Sequence, residues 1–542
     1  MNKYLSKYLE DQKSKIILND EFTDPLNINT IVESANRFKQ HLSEGNKILC
    51  VSDTDSDGIG TAILFRKFFS DIINYDNVDF MLAYRDKGYG LQRYNIDRAI
   101  EIGAKLVITA DQGITSKDAV EYATENDIDV IITDHHTVDP KLLPDTPWIV
   151  DPMCPGSTFE PREISGTVVL DLFLQQVKEY PNDYFCVEKM LTTISDVMPL
   201  NVQYNRDIIK EAFEKIGKQE LHFEREYLYS HMDANSIQDK MFEETHISFG
   251  LAPMLNATNR LLSADIAIDF VTEEEPSQSQ LKYSNLVSIN DRRKEMQAAF
   301  VARTLTTHMN HIKGKTFVVL TLSYEELDSN SEKKLAGLLA ARIMQDQGVP
   351  AAVLVLSKET GDYSGSGRSP YGVLDVLKEF EEEYLTHLGG HAAAFGVGIK
   401  GERMDSFIYE LQKHPEIVRL ANEPKEKTNY IPIDMNDINK ELYDYMRSYA
   451  PFGKDHIQPI FRSKIKIKST RKFGALKQHL MLIIDKKGPD GYDMAMMVIN
   501  APAKYMSARL AGKEWNITYT VSYYQVRKSL SFMVDGIFKI KK

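Results

Sequence analysis

Three hydrophobic runs of this chain end on acidic residues: Asp53-Thr54-Asp55-Ser56-Asp57-Gly58 follows KILCVS, Asp111-Gln112-Gly113 follows KLVITA, and Asp134-His135-His136 follows DVIIT. From about residue 46 to 150 such β-rich runs alternate with helical stretches, the mark of βαβ units and a mainly parallel sheet. In an open α/β sheet, ligands bind beyond the carboxyl ends of the strands. Carboxylates and imidazoles repeated there can therefore converge on one crevice despite their separation in sequence. Oxygen ligands with some imidazole suit hard or intermediate divalent ions such as Mg²⁺ and Mn²⁺. One such motif alone reads as a solvated turn, but three in succession read as a metal site. A calcium-binding EF-hand loop is excluded: its twelfth position needs a bidentate Glu and falls on Leu64, and the preceding segment is strand-like.

At 542 residues the chain exceeds a single core and predicts three or four domains. Its 3 cysteines, Cys50, Cys154 and Cys186, have no CxxC spacing, which argues for a reducing compartment and against a thiolate zinc site. The charged N-terminal stretch MNKYLSKYLEDQKSK lacks an apolar signal core and no run is long enough to span a bilayer, so a cytoplasmic location is expected. The net charge of −13 would discourage nucleic-acid binding, but its distribution reverses that inference. Residues 461–542 hold 17 Lys and Arg against 5 Asp and Glu, a balance of +12, so residues 1–460 carry −25. A basic terminal domain beside an acidic body is the electrostatic footprint for a polyanion.

The expected organisation is a helical lead-in over 1–40, an α/β domain over 41–275, a long connecting helix over 276–311, a second α/β domain over 312–428, and a β-rich domain over 429–542. In the last, the runs SKIKIKST, HLMLIID, MAMMVIN, WNITYTVSYY and LSFMVDGIFKI suggest a small closed barrel of OB type. Aromatics interleaved with cations, as in Arg471-Lys472-Phe473, suit stacking of bases while the cations track the backbone. Gly314-Lys315-Thr316 resembles the end of a P-loop, but Met309 occupies the required earlier glycine, so no ATP-driven motor is expected.

The ordered motifs resemble the DHH phosphoesterases and, within them, the RecJ-type single-strand-specific exonucleases. Beyond the three strand-end motifs, Ile194-Ser195-Asp196-Val197-Met198-Pro199-Leu200 is similar to the family's fourth motif, and Pro253-Met254-Leu255-Asn256-Ala257-Thr258-Asn259-Arg260 to its PRxNAxGR segment. Gly365-Ser366-Gly367-Arg368-Ser369 resembles the GSGRS segment, Gly389-Gly390-His391 opens a GGHAAA signature, and Pro451-Phe452-Gly453 resembles the entry to the RecJ OB-fold. The chain departs from the pattern at Thr54, Ser56, Met254 and Asn259, where Tyr, Ala, Arg and Gly are usual.

The resemblance implies a parallel-sheet DHH domain, a DHH-associated domain joined to it by a long helix, and a C-terminal OB-like barrel. Two Mn²⁺ or Mg²⁺ ions would be held by Asp53, Asp55, Asp57, Asp111, His135 and Asp196, with Asp111 bridging. Asp57 alternatively fixes its loop, and Asp134 orients the His pair. His136 is assigned to the scissile phosphate, and Asp55, Asp111, His135, His136 and Asp196 make up the catalytic set. Arg85, Asn256, Arg260, Ser366, Arg368 and His391 are the implied substrate contacts, His391 lying in a glycine-flanked turn. The expected activity is 5′→3′ hydrolysis of single-stranded DNA to 5′ mononucleotides by a monomer, with a helicase or single-strand-binding protein as partner. Two rival readings are a DHH phosphodiesterase acting on short oligoribonucleotides or cyclic dinucleotides, and a non-catalytic DHH scaffold of a replication or repair assembly. The basic barrel opposes the first, and retention of the metal ligands the second.

Overall fold

In the computed structural model the first sheet is built from β1 (Ile48–Ser52), β2 (Val78–Leu82), β3 (Leu106–Ala110), β4 (Asp129–Thr133) and β5 (Ile149–Val150), all parallel, in the order β2-β1-β3-β4-β5. The structure describes residues 2–540 apart from 85–87, 89, 223–224, 235–242, 424–428, 475–476, 489–490, 492, 508 and 525–528. β1 and β3 are buried throughout, which is why their sequences run apolar without alternation: helices cover both faces of a parallel sheet. One face packs a phenylalanine-rich core around Phe38, Phe65, Phe68 and Phe173, and the other a smaller aliphatic core around Val51, Val107 and Ile132. A third, helical core contains Met190, Leu191, Ile194 and Met254.

The pairing register aligns the acidic motifs. Ser52 is opposite Ala110, and Ala110 opposite Thr133, so the residues that follow them, Asp53, Asp111 and Asp134, leave the sheet side by side. Their amides continue the ladder, Asp53 N–H to Ala110 O at 3.4 Å, Asp111 N–H to Thr133 O at 3.1 Å and Asp134 N–H to Val150 O at 3.1 Å.

The chain divides into two compact units. The first comprises Met1–Asn259, Ser263–Val287 and Asn429–Lys542; the second comprises Arg260–Leu262 and Ser288–Thr428. The single helix Pro276–Ile312 contributes residues to both. The second unit is organised by a mixed sheet of β6 (Val318–Leu322), β7 (Ala351–Leu356), β8 (Tyr363–Arg368), β9 (Leu385–His391) and β10 (Ala394–Ile399), in the order β6-β7-β8-β10-β9. Only β6 and β7 are parallel to one another.

The barrel belongs to the first unit. β11 (Ile431–Pro432), β12 (Phe461–Phe473), β13 (His479–Lys487), β14 (Asp493–Val498), β15 (Glu514–Tyr524) and β16 (Ser529–Phe538) run in the order β11-β12-β13-β14-β16-β15. Pairing of β12 with both β13 and β15 closes five of them into a barrel. β12 alternates strictly over its first half: Phe461, Ser463, Ile465 and Ile467 point inward, while Arg462, Lys464, Lys466 and Lys468 are exposed. The lead-in reading of residues 1–40 needs correction at its start. Leu5 and Leu9, one helical turn apart in the helix Lys3–Lys13, are fully buried in the barrel core, and Asn2 Nδ2 donates to Pro432 O at 3.0 Å. Among the described residues no helix is long and apolar enough to cross a membrane.

Candidate metal centre

The first-motif loop is tied down before any ligand is considered. Asp55 caps the helix Ser56–Lys67, its Oδ1 accepting from Asp57 N–H at 3.1 Å and Gly58 N–H at 3.4 Å. Asp57 reaches across to the start of the helix Gly166–Val177, accepting from Gly166 N–H at 2.7 Å on Oδ2 and from Thr167 N–H at 2.9 Å and the Thr167 hydroxyl at 2.6 Å on Oδ1. These bonds tie the first-motif loop to that helix, and Asp57 Oδ2 lies 3.8 Å from His135 Nε2.

His135 is the hub. Its Nδ1–H donates to Ile164 O at 2.8 Å, which turns Nε2 toward three carboxylates: Asp111 Oδ1 at 3.1 Å, Asp196 Oδ2 at 3.7 Å and Asp57 Oδ2 at 3.8 Å. Asp134 orients the pair of histidines. Its Oδ1 accepts from the His135 and His136 amides at 2.8 and 3.3 Å and from His136 Nδ1–H at 2.7 Å, and its Oδ2 accepts from Ile114 N–H at 3.0 Å. Three groups bring ligand atoms within 4.8 Å of one another: Asp53, Asp55 and Asp111; Asp57, His135 and Asp196; and Asp111, His135 and His136. Asp111 and His135 each belong to two of them.

The electrostatics describe a site short of positive charge. Burial, then the neighbouring Asp57, pushes the Asp111 carboxyl well above the usual carboxylate range, and burial raises Asp57 and lifts Asp196 to about 7. Burial works against protonation of His135, but the Asp111 hydrogen bond and the charges of Asp196, Asp111 and Asp57 outweigh it and raise its pKa well above the ordinary value. Asp134 behaves oppositely: despite burial, the adjacent His136 holds it at about 2. The donor set fits divalent cations on a further observation. Asp196 Oδ2 is buried without a hydrogen-bond partner among the described residues, a costly state for a carboxylate oxygen unless a cation meets it.

Several participants were not legible as such in the sequence. Asp151, fully buried, has Oδ2 unpartnered among the described residues and a carboxyl pushed up to about 7, by burial and then by Asp134. The same signal marked it, an Asp directly after the short β run PWIV. Gly166 leaves room for Asp111: a Cβ there would lie 2.8 Å from Asp111 Cβ and 2.9 Å from its Cα. The two departures Thr54 and Asn259 explain one another, since Asn259 Nδ2 donates to the buried Thr54 Oγ1 at 2.7 Å, and Thr54 Oγ1 lies 3.3 Å from Asp53 Oδ1. Met254, where the resemblance led to an arginine, is buried in the helical core.

The implied substrate contacts are distributed. Asn256 Oδ1 accepts from Ser56 N–H at 3.0 Å and so supports the metal loop. Arg260, Ser366 and Arg368 lie in the second unit. Arg260 Nη1–H donates to Lys334 O at 2.9 Å. Arg368, at the end of β8, is half-buried with no acidic partner among the described residues; its guanidinium donates to Gly367 O at 2.7 Å, and burial lowers its pKa. His391 corrects the expected turn. Gly389, Gly390 and His391 are strand residues of β9 paired with β10, because Gly390 at φ +111° lets the strand pass close to Ala394 O. Arg85 lies outside the described residues.

A parallel sheet whose strand ends gather carboxylates and a histidine pair is followed by a second α/β unit and a closed barrel, and each of the three matches a known domain. Residues 47–195 match the DHH family N-terminal domain, 314–414 the DHHA1 domain and 431–536 the RecJ OB domain. In its domain composition the chain is RecJ-like. It is 28% identical over 476 residues to the single-stranded-DNA-specific exonuclease RecJ of Bacillus subtilis, covering 86% of this chain and 58% of that protein. It is 24% identical to the RecJ of Haemophilus influenzae, covering 98% of this chain and 95% of the relative. Its fold is similar to that of RecJ from Thermus thermophilus in complex with Mn²⁺, with a TM-score of 0.70 at 20% identity over 95% of this chain and 72% of that one.

Proposed function

We propose that this chain is a Mn²⁺- or Mg²⁺-dependent exonuclease that degrades single-stranded DNA in the 5′→3′ direction to 5′ mononucleotides. The observation that carries the reading is the cluster of Asp57, Asp111 and Asp196 around His135, in which Asp196 Oδ2 has no hydrogen bond among the described residues and only His135 Nε2 at 3.7 Å, in a chain that also carries a RecJ OB domain. The relatives' names support the substrate class, and the presence of the barrel and of every metal ligand disfavours the short-oligonucleotide and scaffold readings.

Asp53, Asp55, Asp57, Asp111, His135 and Asp196 hold two divalent ions, which when bound activate water and neutralise charge on the phosphate and leaving oxygen. The chain's own groups do the rest. His135 is fixed in one tautomer by Ile164 O, so Nε2 is the atom available as a ligand. His136, its Nδ1–H donated to Asp134, is held where its imidazole would meet developing charge on the scissile phosphate. Arg85, Arg260, Ser366 and Arg368 grip the terminal phosphate; Arg368 is partly desolvated and has no carboxylate among the described residues that it would first have to leave. Asn256 and His391 contact the strand near the reacting end. The working divisions are those of the sequence reading, 41–275, 276–311, 312–428 and 429–542. The enzyme acts as a cytoplasmic monomer on strands released by a helicase or held by a single-strand-binding protein.

The test is hydrolysis, with Mn²⁺, of end-labelled single-stranded DNA, duplex DNA and RNA of equal length. The 5′-labelled single-stranded DNA should release labelled mononucleotide from the outset, duplex and RNA far less, and Asp111→Ala should lose the activity while keeping its fold. Equal turnover by Asp111→Ala, or preferred release from the 3′ end, contradicts the proposal.

A further inference from the structure

Asp196 caps the C-terminus of a helix, its amide donating to Thr192 O at 2.9 Å and that of Met198 to Thr193 O at 3.0 Å, so the turn is anchored to the helix on that side. The helix Cys186–Ser195 ends just before it, Val197 has a left-handed φ of +56°, unfavourable for a β-branched residue, and Val197 is 58% exposed. Such a conformation persists only when its surroundings over-determine it. Beyond those helix-capping bonds, the far side of the turn, Pro199 and Leu200, is held by two adjacent residues in the first turn of the helix Gln203–Lys218.

Asn205, fully buried, donates through Nδ2 to two carbonyls at once, Pro199 O at 3.1 Å and Glu163 O at 3.0 Å. Pro199 closes the Asp196 turn, and Glu163 precedes Ile164, whose carbonyl orients His135. The two ligand-bearing segments are thus joined by one amide. Arg206, 2% exposed, donates to four carbonyls: Nη1 to Leu200 O at 2.8 Å and Pro451 O at 3.0 Å, and Nη2 to Tyr449 O at 2.8 Å and Ala450 O at 3.0 Å. Leu200 ends the Asp196 motif, whereas Tyr449 to Pro451 form the entry to the barrel. The same seam is closed by Leu200 N–H to Lys454 O at 2.7 Å and by Lys454 Nζ to Glu163 Oε1 at 2.8 Å. Glu244 pins the far side, receiving Arg447 at 2.8 Å and Phe452 N–H at 3.1 Å.

A buried guanidinium with no carboxylate in hydrogen-bond contact is expensive, and this one spends its Nη donors on backbone carbonyls of two segments distant in sequence, at Leu200 and at Tyr449 to Pro451. A packing role alone is served by an apolar side chain; fixing two irregular backbones to each other requires several donors in fixed geometry. We propose that Asn205 and Arg206 are positioning residues for the metal centre, locking the Asp196 turn to the segment that orients His135 and fastening both to the entry of the barrel. The barrel then serves the hydrolytic centre directly: its docked entry segment sets the placement of Asp196. This rests on the reading of the Asp–His cluster as a metal centre.

The test uses the full chain and two readouts, Mn²⁺ affinity by titration calorimetry and amide hydrogen exchange without metal. Arg206→Met, which keeps the length and removes the donors, should weaken Mn²⁺ binding by about 10-fold or more, in the range found when groups that orient metal ligands are removed. Exchange should accelerate at 196–200 while the amides of β3 stay protected, and Arg206→Lys should recover part of both. A folded Arg206→Met with unchanged Mn²⁺ affinity and unchanged exchange at 196–200 overturns the proposal, as does lost thermal stability without either local change. If Arg206→Met does not fold, Asn205→Leu replaces it, removing the amide that joins Pro199 O to Glu163 O. Unchanged affinity and exchange in that folded variant overturn the proposal equally. Absence of Mn²⁺ binding by the wild type refutes the metal-centre reading instead, and hydrogen exchange still decides whether Arg206 holds the turn.

Discussion

The residues around the metal loop show how departures from a family pattern can be mutually consistent. Thr54 is buried and Asn259 half-buried, and their hydrogen bond passes polarity from the helix Ala252–Leu261 to Asp53. Removing either partner already forfeits their mutual hydrogen bond, so the two single losses overlap. In a double-mutant cycle of Thr54→Val and Asn259→Ala, read from chemical denaturation, the double variant should be more stable than the sum of the single losses by roughly 0.5–3 kcal/mol. Strict additivity would show that the two side chains do not support each other. Asp111 is a second case: it adopts φ +59°, and the space for that strained turn exists because position 166 has no side chain.

At the level of elements, what the sequence displayed were features local to one strand. The parallel sheet, its acidic strand ends and the barrel strands were readable because each is a short apolar or alternating run closed by residues of defined chemistry. Hidden features depend on partners distant in sequence. Nothing in LSKYL indicates that Leu5 and Leu9 enter the barrel, and GGH reads as a turn until β10 is found beside it. The pairing of Asn205 with Glu163 likewise has no local signature. His231, in the helix Glu226–Ala234, is another such residue. Its ring is buried between His246 O at 3.1 Å from Nε2 and the Tyr283 hydroxyl at 3.1 Å from Nδ1, and burial lowers its pKa to about 4. The folded protein therefore excludes a proton that the unfolded chain accepts below its ordinary pKa of about 6.5. The contribution is complete above that value and is lost as pH falls toward 4, with a slope of up to about 1.4 kcal/mol per pH unit. Comparing urea midpoints at pH 7 and pH 5 should show a smaller drop for His231→Asn than for wild type. An equal drop would assign the acid sensitivity elsewhere.

Across the whole molecule, the parallel-sheet domain and the basic barrel belong to one compact unit, and the exposed lysines of β12 show how much of the barrel's charge is already spent. Lys464, Lys466 and Lys468 pair with Glu514, Asp485 and Asp493 at 2.8, 2.9 and 2.6 Å, whereas Arg462, Arg471 and Lys472 have no acidic partner among the described residues. The cations left for a strand thus include those at the far end of β12, beside the Phe473 and His479 rings at 5.0 Å. The buried seam through Arg206 and Glu244 means that excising residues 430–542 would strip partners from a buried guanidinium and a buried carboxylate, so loss of activity in such a truncation would say little about strand binding. The central claim, that strand-end carboxylates and His135 gather a pair of divalent ions, is tested most directly by anomalous diffraction from crystals soaked in Mn²⁺. Two peaks roughly 3.5–4 Å apart are predicted, with Asp111 bonded to both and His135 Nε2 to one. Absence of bound Mn²⁺ between these side chains at saturating metal, with the Asp111–His135 contact of 3.1 Å intact, would contradict it.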